Sequence, residues 1–599
     1  MNERKDQVDI QPLLRLLDRH WRLVTVAAWL MLCAWFVVNR WHQILTFDLL
    51  DTDDNMRISQ VRALLHGQGW YDLRQYRLNP PFGANIHWSR LVDLPLVGLI
   101  LLLRPLLGGA EAERIAVAVA PMLPYLLLLF GVALTARRLI HPAAVILAFI
   151  ALLSAGSTNG MFMPTRIDHH GWQLALISIA VAGLVDPKRA RGGVTLGIAT
   201  ALSLAIGLEL LIYLALTGVA VVLFWIDDRD EKRRLAAYAV TLAGGTALSF
   251  LVFASYANRL AVCDALSPVW LSDALLGGAL LFGLAIVSPA DWKRRLVLAA
   301  GAAVIIAIFH AWMWPHCLSR LEGVSPEVER LWLSHVREAR PLYTHGWQTA
   351  TLLAALPLTG AVGWALLAWT NRADRGLLRR TLAAAVPALA ATLLLAWQTR
   401  TAPAAQMLSV VGAIAIIWIL APLVQRLKMP VVRTAATVGV ALLGLGAVVP
   451  FAVQAVPGKK ATRQEIAIGR ANNLCNAMSA FRPVALLPKG MVFTFVDFGP
   501  RVITITHHDS VAGPYHRNGQ QIADVMNAFR GSEPQAHAII AKYHSNYLLT
   551  CPNASTTTIF MTEAPQGFYA QLVHGKVPAW LTPISLPANS PFRMWRVVG

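Results

Sequence analysis

Long apolar stretches, separated by short polar segments, run along the chain as far as residue 453. A helix needs roughly 20 mostly apolar residues to cross the hydrocarbon core of a bilayer. The pattern therefore predicts a mainly α, polytopic membrane protein with about thirteen spans. The predicted spans are 22–39, 115–135, 141–158, 172–185, 192–208, 211–226, 235–254, 271–288, 296–312, 348–370, 379–398, 407–424 and 433–453.

Basic side chains fall in short clusters between these stretches and indicate the orientation of the chain. Lys and Arg accumulate in the cytoplasmic loops of membrane proteins. If every cluster is cytoplasmic, an even number of spans separates consecutive clusters, and the N-terminus is cytoplasmic as well. The clusters lie at 15–22, 137–138, 188–191, 232–234, 293–295, 372–380 and 426–433.

The even number of spans between consecutive basic clusters requires that the apolar stretch 91–107 does not cross the membrane. An additional span here would move every later basic cluster to the other side. This stretch contains Asp93, Pro95, Arg104 and Pro105, which favour a juxtamembrane or re-entrant helix over a full span. We therefore expect this helix not to cross the membrane.

Several polar segments then share the outer face of a bacterial inner membrane. They are a long first loop at 40–112, a loop at 159–171, the turn at Glu209 and a loop at 313–347. We expect the segment that follows the last span to lie on the same periplasmic side.

The apolar stretches shorten after the last predicted span, which indicates a change of architecture. We divide the chain into a membrane domain at 1–454 and a small periplasmic α/β domain, the tail, at 455–599. Strand-like and helix-like patterns alternate in the tail. In chain order, the predicted strands are 492–496 and 501–506, and the predicted helices are 520–529 and 534–542.

The composition agrees with a membrane protein. Of the 599 residues, 56% are hydrophobic and 14% are charged, and the mean hydropathy is +0.52; soluble domains carry about 25% charged residues. The net charge of +19 could suggest nucleic acid as a partner. The basic residues fall between spans rather than on one soluble face, so we expect the membrane and no nucleic acid.

Two acidic motifs beside predicted spans are the main candidates for chemistry. The first is Asp51-Thr52-Asp53-Asp54, which could cap a helix, but three carboxylates exceed what a cap requires, and their repulsion favours a bound cation. The second is Asp168-His169-His170, whose Asp168 and His170 could face one metal ion. The alternative is a polar loop with a hydrogen-bonded histidine.

Other charged residues on the predicted outer face are weaker candidates. The segment 328–339 can form a helix that carries His335 and Glu338 near one face, although a solvated surface helix is the alternative. Glu209 interrupts an apolar stretch. It could have a functional role or, equally, be a hydrated carboxylate in a turn. The candidates for binding substrate are Arg57, Arg90, Glu209, Arg337, Arg340, His516 and Arg517; for His516 and Arg517 a structural role is the alternative.

Four of the five cysteines fall in segments predicted to lie outside the membrane, where disulfides persist. The two pairs that each lie within one outer region are Cys263 with Cys317 and Cys475 with Cys551. Four free thiols are the alternative, and no spacing typical of a zinc site is present.

With these motifs in place, the sequence resembles the GT-C superfamily of polyprenyl-phosphate-dependent glycosyltransferases. The first-loop aspartate motif, followed by Arg62-Ala-Leu-Leu-His-Gly-Gln-Gly, is similar to the oligosaccharyltransferase catalytic subunit. The pair Pro80-Pro81 is similar to the aminoarabinose transferases of lipid A. Asp168-His169-His170 looks like the metal motif of the archaeal oligosaccharyltransferases. The Trp-Trp-Asp motif of that group is missing, which disfavours a sequon peptide as acceptor.

This resemblance implies an inverting transfer of a sugar or glycan from a polyprenyl-phosphate-linked donor to a periplasmic lipid or glycan acceptor. It implies Asp53 as the catalytic carboxylate, with Asp51 and Asp54 as alternatives. It also implies a divalent metal, Mg²⁺ or Mn²⁺, held by Asp53, Asp168, His170 and Glu338. The alternative function is a lipid-linked glycan transporter or polymerase, which the position of the acids at the membrane boundary disfavours.

Overall fold

The computed structural model describes residues 11–319, 321–456 and 461–598. Helices make up most of the described chain. The helices that precede the tail are α1 (Gln11–Asn39), α2 (Trp41–Thr46), α3 (Thr52–Leu65), α4 (Asp93–Leu107), α5 (Gly109–Val119), α6 (Met122–Leu139), α7 (Ala144–Leu152), α8 (Gly156–Gly160), α9 (His170–Leu184), α10 (Arg189–Ile206), α11 (Leu211–Asp227), α12 (Lys232–Phe253), α13 (Pro268–Val287), α14 (Trp292–Met313), α15 (Pro326–Leu331), α16 (Trp347–Thr370), α17 (Arg375–Leu394), α18 (Ala402–Val424), α19 (Pro430–Gly444) and α20 (Val448–Ala455).

Eight helical stretches among the described residues are long and apolar enough to cross a membrane. They lie in α1, α5–α6, α12, α13, α14, α16, α17 and α18, and the shorter α9, α11 and α19 are also apolar. Large apolar side chains such as Val297, Ile308 and Trp312 of α14 are exposed, as expected for a surface in contact with lipid. A polytopic, mainly α-helical membrane protein is therefore confirmed, while the number of crossings stays a prediction.

The first loop folds around the short helices α3, α4 and α5. Leu96 of α4 is buried against Ile58 of α3 and Ala116 of α5, whereas Leu106 is exposed. The chain turns from α4 into α5 at Gly108, whose φ of +81° is a conformation that favours glycine. Helix α4 is therefore amphipathic, as expected of a juxtamembrane helix. Its position relative to the bilayer stays a prediction. The loop also contains a small ribbon of β1 (Arg74–Gln75) and β2 (Ala84–Asn85).

The tail contains a five-stranded sheet covered by helices. Its strand order is β4-β3-β5-β7-β6, with β3 parallel to β4 and β5, and β7 antiparallel to β5 and β6. Residues 457–460, near the predicted domain boundary, lie outside the described residues, so that boundary stays a prediction. The tail elements are α21 (Arg463–Asn476), β3 (Met491–Phe493), α22 (Gly499–Ile505), β4 (Asp509–Ser510), α23 (Gly519–Arg530), α24 (Glu533–Lys542), β5 (Tyr547–Thr550), α25 (Ser555–Glu563), α26 (Phe568–Val573), β6 (Leu581–Ile584) and β7 (Arg593–Val597).

The predicted strand at 501–506 is wrong, because this segment forms α22. Its β-branched residues suggested a strand, but α22 packs against α3 of the first loop. The Thr504 hydroxyl donates to the Asn55 carbonyl at 3.0 Å and lies 2.9 Å from the Ser59 hydroxyl. Tertiary packing thus overrides a weak local preference.

The predicted helix at 328–339 is also wrong. Helix α15 ends at Leu331, and two single 3₁₀ turns, Leu333–His335 and Arg337–Ala339, follow it. Val328 and Leu331 are buried in the core of the tail. The loop is therefore bent to follow the tail instead of continuing as one helix.

Two disulfides join the cysteine pairs that the sequence favoured. Cys263 is bonded to Cys317, and Cys475 to Cys551, closing chain segments of 54 and 76 residues. The second bond is in the tail core, where Cys475 and Cys551 are at most 1% exposed. Each bond restricts the unfolded chain and therefore stabilises the folded one.

We predict that replacing Cys475 and Cys551 together by Ser lowers the free energy of unfolding by about 2–5 kcal/mol, because the cross-link is lost. Thermal unfolding followed by intrinsic fluorescence would show this as a lower Tm. Cys33→Ser, which leaves both disulfides intact, is the control. An unchanged Tm in the double variant would contradict a stabilising cross-link.

Candidate active site

The first acidic motif forms the N-terminus of α3. Asp51 is the N-cap, and its Oδ1 accepts hydrogen bonds from the backbone N–H groups of Asp53 and Asp54 at 2.9 and 3.2 Å. Asp54 Oδ2 accepts in return from the Asp51 N–H at 3.0 Å, which completes a capping box. Helix capping therefore accounts for two of the three carboxylates.

The second acidic motif is in direct contact with the first. The Asp168 N–H donates to Asp54 Oδ1 at 3.0 Å, and both side chains are buried. The Arg166 guanidinium lies among the carboxylates: it pairs with Asp51, and it lies 3.4 Å from oxygens of Asp54 and Asp168. The structure thus brings together the two motifs that the sequence could relate only through span parity.

His169 is held by carboxylates at both ring nitrogens. Nδ1 lies 2.5 Å from Asp168 Oδ1, and Nε2 lies 2.9 Å from Glu209 Oε1. Burial opposes a charged imidazole, but the two carboxylates outweigh it and raise the pKa of His169 to about 10. Burial likewise opposes ionisation of Asp168 and Glu209, yet His169 holds both pKa values well below the usual range. A protonated His169 therefore bridges two ionised carboxylates.

Glu209 is placed by the turn between α10 and α11. The Gln173 side-chain amide donates to Glu209 Oε2. A Cβ at position 207 would lie 2.3 Å from Glu209 Oε2 and 3.0 Å from Gln173 Nε2. Gly207 is therefore required by the close approach of the Glu209 side chain to its own turn.

Asp53 differs from its two neighbours in its contacts. Among the described residues, no side chain or backbone group donates a hydrogen bond to its carboxylate. The side chain is half-buried, and burial together with the Asp168 carboxylate raises the pKa of Asp53 to about 8. A carboxylate in this position would be stabilised by a cation.

Asp168, His169 and His170 form a compact group, with one potential ligand atom of each lying within 4.8 Å of the others. Both nitrogens of His169 contact carboxylates, so Asp168 Oδ2 and His170 Nε2, which are 3.4 Å apart, are left to hold a metal. Asp53 lies outside this 4.8 Å group. The negative charge of Asp168 nevertheless contributes to the raised pKa of Asp53.

Arg57 and Arg90, predicted to bind substrate, lie in the core of the first loop. They pair with opposite oxygens of Asp93 at 3.0 and 3.1 Å, and their side chains are at most 1% exposed. Arg57 also lies over the Trp88 ring at 4.4 Å, and that ring is 5.8 Å from the His169 ring. This geometry supports a positioning role beneath the site rather than contact with substrate.

The loop that carries Arg337, Glu338 and Arg340 lies near the site but not in it. Glu338 Oε1 pairs with Arg400 Nη2 at 3.1 Å, and the Glu338 charge contributes to the raised pKa of Asp53. Arg337 and Arg340 are exposed. The structure therefore leaves Glu338 outside the compact ligand group, and a metal-binding role for it stays a prediction.

His516 and Arg517 of the tail contact another chain segment. Both bind Asp264, in the loop between α12 and α13: His516 Nε2 lies 2.6 Å from Oδ2, and Arg517 donates to both oxygens at 2.6–2.7 Å. This arrangement agrees with the structural alternative for these two residues.

The sequence interpretation missed two residues that shape the site. Arg166 stands two positions before Asp168 of the second motif, and this spacing could have placed both side chains on one side of an extended segment. Nothing in the sequence around Trp88 indicates a role at the site, because its contacts with Arg57 and His169 form only when the first loop folds.

No family model matches the sequence, and no curated protein sequence matches it either. The fold is shared with solved structures of an archaeal oligosaccharyltransferase, which confirms the resemblance as far as the fold is concerned. Similar structures include the archaeal oligosaccharyltransferase AglB from Archaeoglobus fulgidus in complex with an inhibitory peptide and a dolichol-phosphate, at a TM-score of 0.65 and 15% identity, covering 89% of this chain and 69% of that one.

A structure of the Archaeoglobus fulgidus oligosaccharyltransferase, tethered with an acceptor peptide that contains the NVT sequon, has a TM-score of 0.66 at 15% identity and covers 96% of this chain and 76% of that one. A third is a complex with Zn and sulfate, at a TM-score of 0.60 and 15% identity, with coverage of 88% and 68%. ArnT from Cupriavidus metallidurans bound to undecaprenyl phosphate has a TM-score of 0.44 at 12% identity, with coverage of 96% and 98%.

We predict that Gly207→Ala lowers the free energy of unfolding by about 1.5–3 kcal/mol, because the added methyl group displaces Glu209 and breaks its charged hydrogen bonds. Thermal unfolding in detergent would measure the loss. Gly244→Ala in α12, where a Cβ would meet no atom within 4 Å, is the matched control. Equal stability of the two variants would contradict the assigned close approach.

Proposed function

We propose that this protein is a membrane glycosyltransferase that moves a sugar or glycan from a polyprenyl-phosphate-linked donor to an acceptor at the periplasmic face. The observation that carries the proposal is the contact between the two acidic motifs, made by the Asp168 N–H and Asp54 Oδ1 at 3.0 Å. In a fold shared with AglB, which binds dolichol-phosphate and peptide, this contact places several carboxylates and an imidazole together outside the apolar helices.

The residues fit a divalent metal. Asp168 and His170 supply one oxygen and one nitrogen ligand 3.4 Å apart. Asp53 is a nearby carboxylate to which no residue of the described ranges donates a hydrogen bond. A ligand set that mixes carboxylate with imidazole suits Mn²⁺ better than Mg²⁺, which prefers oxygen. An Archaeoglobus fulgidus oligosaccharyltransferase of similar fold has been solved as a complex with Zn and sulfate, which agrees with metal binding by a protein of this fold. When bound, the ion supplies positive charge at the departing phosphate.

The chain's own residues then have distinct roles in an inverting displacement. The acceptor hydroxyl oxygen bonds to the anomeric carbon while the bond from that carbon to the phosphate oxygen breaks. Asp53 orients the hydroxyl and takes its proton, and the phosphate leaves with the bonding electrons. Asp51 and Asp54 fix the start of α3, so that the Asp53 carboxylate is held at the site.

His169 is a positioning residue in this scheme. It holds Asp168 Oδ1 and Glu209 Oε1, so Asp168 presents its other oxygen toward His170. Arg57 and Arg90 secure the first loop through Asp93, and the exposed Arg337 and Arg340 are the remaining candidates for binding the donor phosphate.

We predict that Asp53→Asn lowers transfer by at least about 100-fold, because the amide cannot accept the proton. The assay follows sugar release from a panel of synthetic polyprenyl-phosphate sugars by mass spectrometry. Glu111→Gln removes an exposed carboxylate elsewhere in the first loop and is the control. Full activity of Asp53→Asn, with Tm unchanged, would refute the role of Asp53.

We also predict that chelation abolishes transfer and that Mn²⁺ restores it more effectively than Mg²⁺, given the imidazole ligand. Asp168→Asn and His170→Gln should each raise the Mn²⁺ concentration needed for half-maximal activity by about 10-fold or more. Activity that persists in a chelator, at the rate of the untreated enzyme, would exclude metal assistance.

A further inference from the structure

A second cluster of potential metal ligands lies where the tail meets the first loop. His87 follows the β1–β2 ribbon of the first loop, Asp264 lies between α12 and α13, and His516 belongs to the tail. One ligand atom from each lies within 4.8 Å of the other two. The cluster shares no residue with the site built from Asp53 and Asp168.

His87 lacks partners that the other two members have. Its Nδ1 is shielded from solvent without a hydrogen-bond partner among the described residues. Its ring lies 4.6 Å from the His516 ring. A shielded imidazole nitrogen without a partner is unfavourable, and such a group in a folded protein calls for an ion or a water.

The donor atoms of the three residues also suit a cation. Asp264 Oδ1 pairs with Arg517 Nη2 at 2.6 Å, and Asp264 Oδ2 lies 2.6 Å from His516 Nε2. The cluster therefore offers two imidazoles and one carboxylate.

We propose that His87, Asp264 and His516 bind a divalent transition-metal ion of the zinc type, which ties the tail to the first loop. Two imidazoles and one carboxylate form a ligand set that zinc uses in proteins, and Mg²⁺ competes poorly for it. The ion replaces the proton that His516 Nε2 shares with Asp264 Oδ2 at 2.6 Å. Arg517 keeps its hydrogen bonds to Asp264 and orients that carboxylate.

The position of this cluster connects it to the site of the proposed function. His87 directly precedes Trp88, whose ring lies against Arg57 and faces His169. An ion on His87 would fix the segment that carries Trp88. A further group, Cys263, His316 and Cys317, has its two sulfurs joined in a disulfide and is not available to a metal.

The test is Zn²⁺ binding by the full-length protein in detergent, under oxidising conditions and with Mg²⁺ in excess. Competition with a chromophoric chelator gives the number and affinity of bound ions. In His170→Gln, which weakens the other site, we expect one Zn²⁺ that resists Mg²⁺. Adding His87→Gln or His516→Gln to this variant should lower its affinity at least about 10-fold. X-ray absorption of the bound Zn²⁺ should show imidazole scattering that weakens in either variant.

His507→Gln is the matched control and should bind Zn²⁺ as the wild type does. His507 is an exposed tail histidine whose ring nitrogen lies 2.9 Å from the Leu487 carbonyl and whose ring lies 4.5 Å from that of His508. Tm values measured without Zn²⁺ show whether each variant is folded. Unchanged affinity in both folded variants would overturn the proposal. So would loss of the Mg²⁺-resistant Zn²⁺ in His170→Gln, because the ion would then occupy the other site.

Discussion

The hydrogen bond from the Asp168 backbone to the Asp54 carboxylate is the contact on which the candidate site depends. It brings together two segments that are distant in sequence and forces several carboxylates into one partly buried space. Such crowding is unfavourable unless cations compensate it. Arg166 and a protonated His169 provide much of that compensation, since both contact Asp168 directly. Among the described residues, Asp53 has no such partner, which distinguishes it from the two aspartates beside it.

The surrounding structure keeps these charges in place. Asp93, at the start of α4, binds Arg57 and Arg90 and so joins α4 to the rest of the first loop. The buried ring of Trp88 lies against Arg57 and faces His169, and Arg57 Nη2 lies 3.4 Å from His169 Nδ1. Helix α22 of the tail packs on α3, the helix whose N-terminus carries the acidic motif. The first loop is therefore held by ion pairs within it and by the packing of the tail on α3.

Some expectations failed for the same physical reason. The segment at 501–506 has strand-like composition and yet forms the helix α22, because α22 packs against α3 through Thr504. The segment at 328–339 has a helical pattern and yet is broken, because Val328 and Leu331 pack into the tail. In these two segments, contacts distant in sequence outweighed a local preference of less than about 1 kcal/mol. Arg57 and Arg90 were expected to bind substrate, but both are buried and paired with Asp93.

The sequence by itself determined the class of this protein and the identity of its chemical groups. Apolar length, charge clusters and two short acidic motifs are local properties, and they were sufficient to predict a helical membrane protein with a carboxylate and histidine site. Only the tertiary structure decided how those groups are used. It made Asp51 and Asp54 helix caps, placed Arg166 among the carboxylates, and joined His87, Asp264 and His516. Such pairings depend on how loops pack against one another, which no local pattern in the chain encodes.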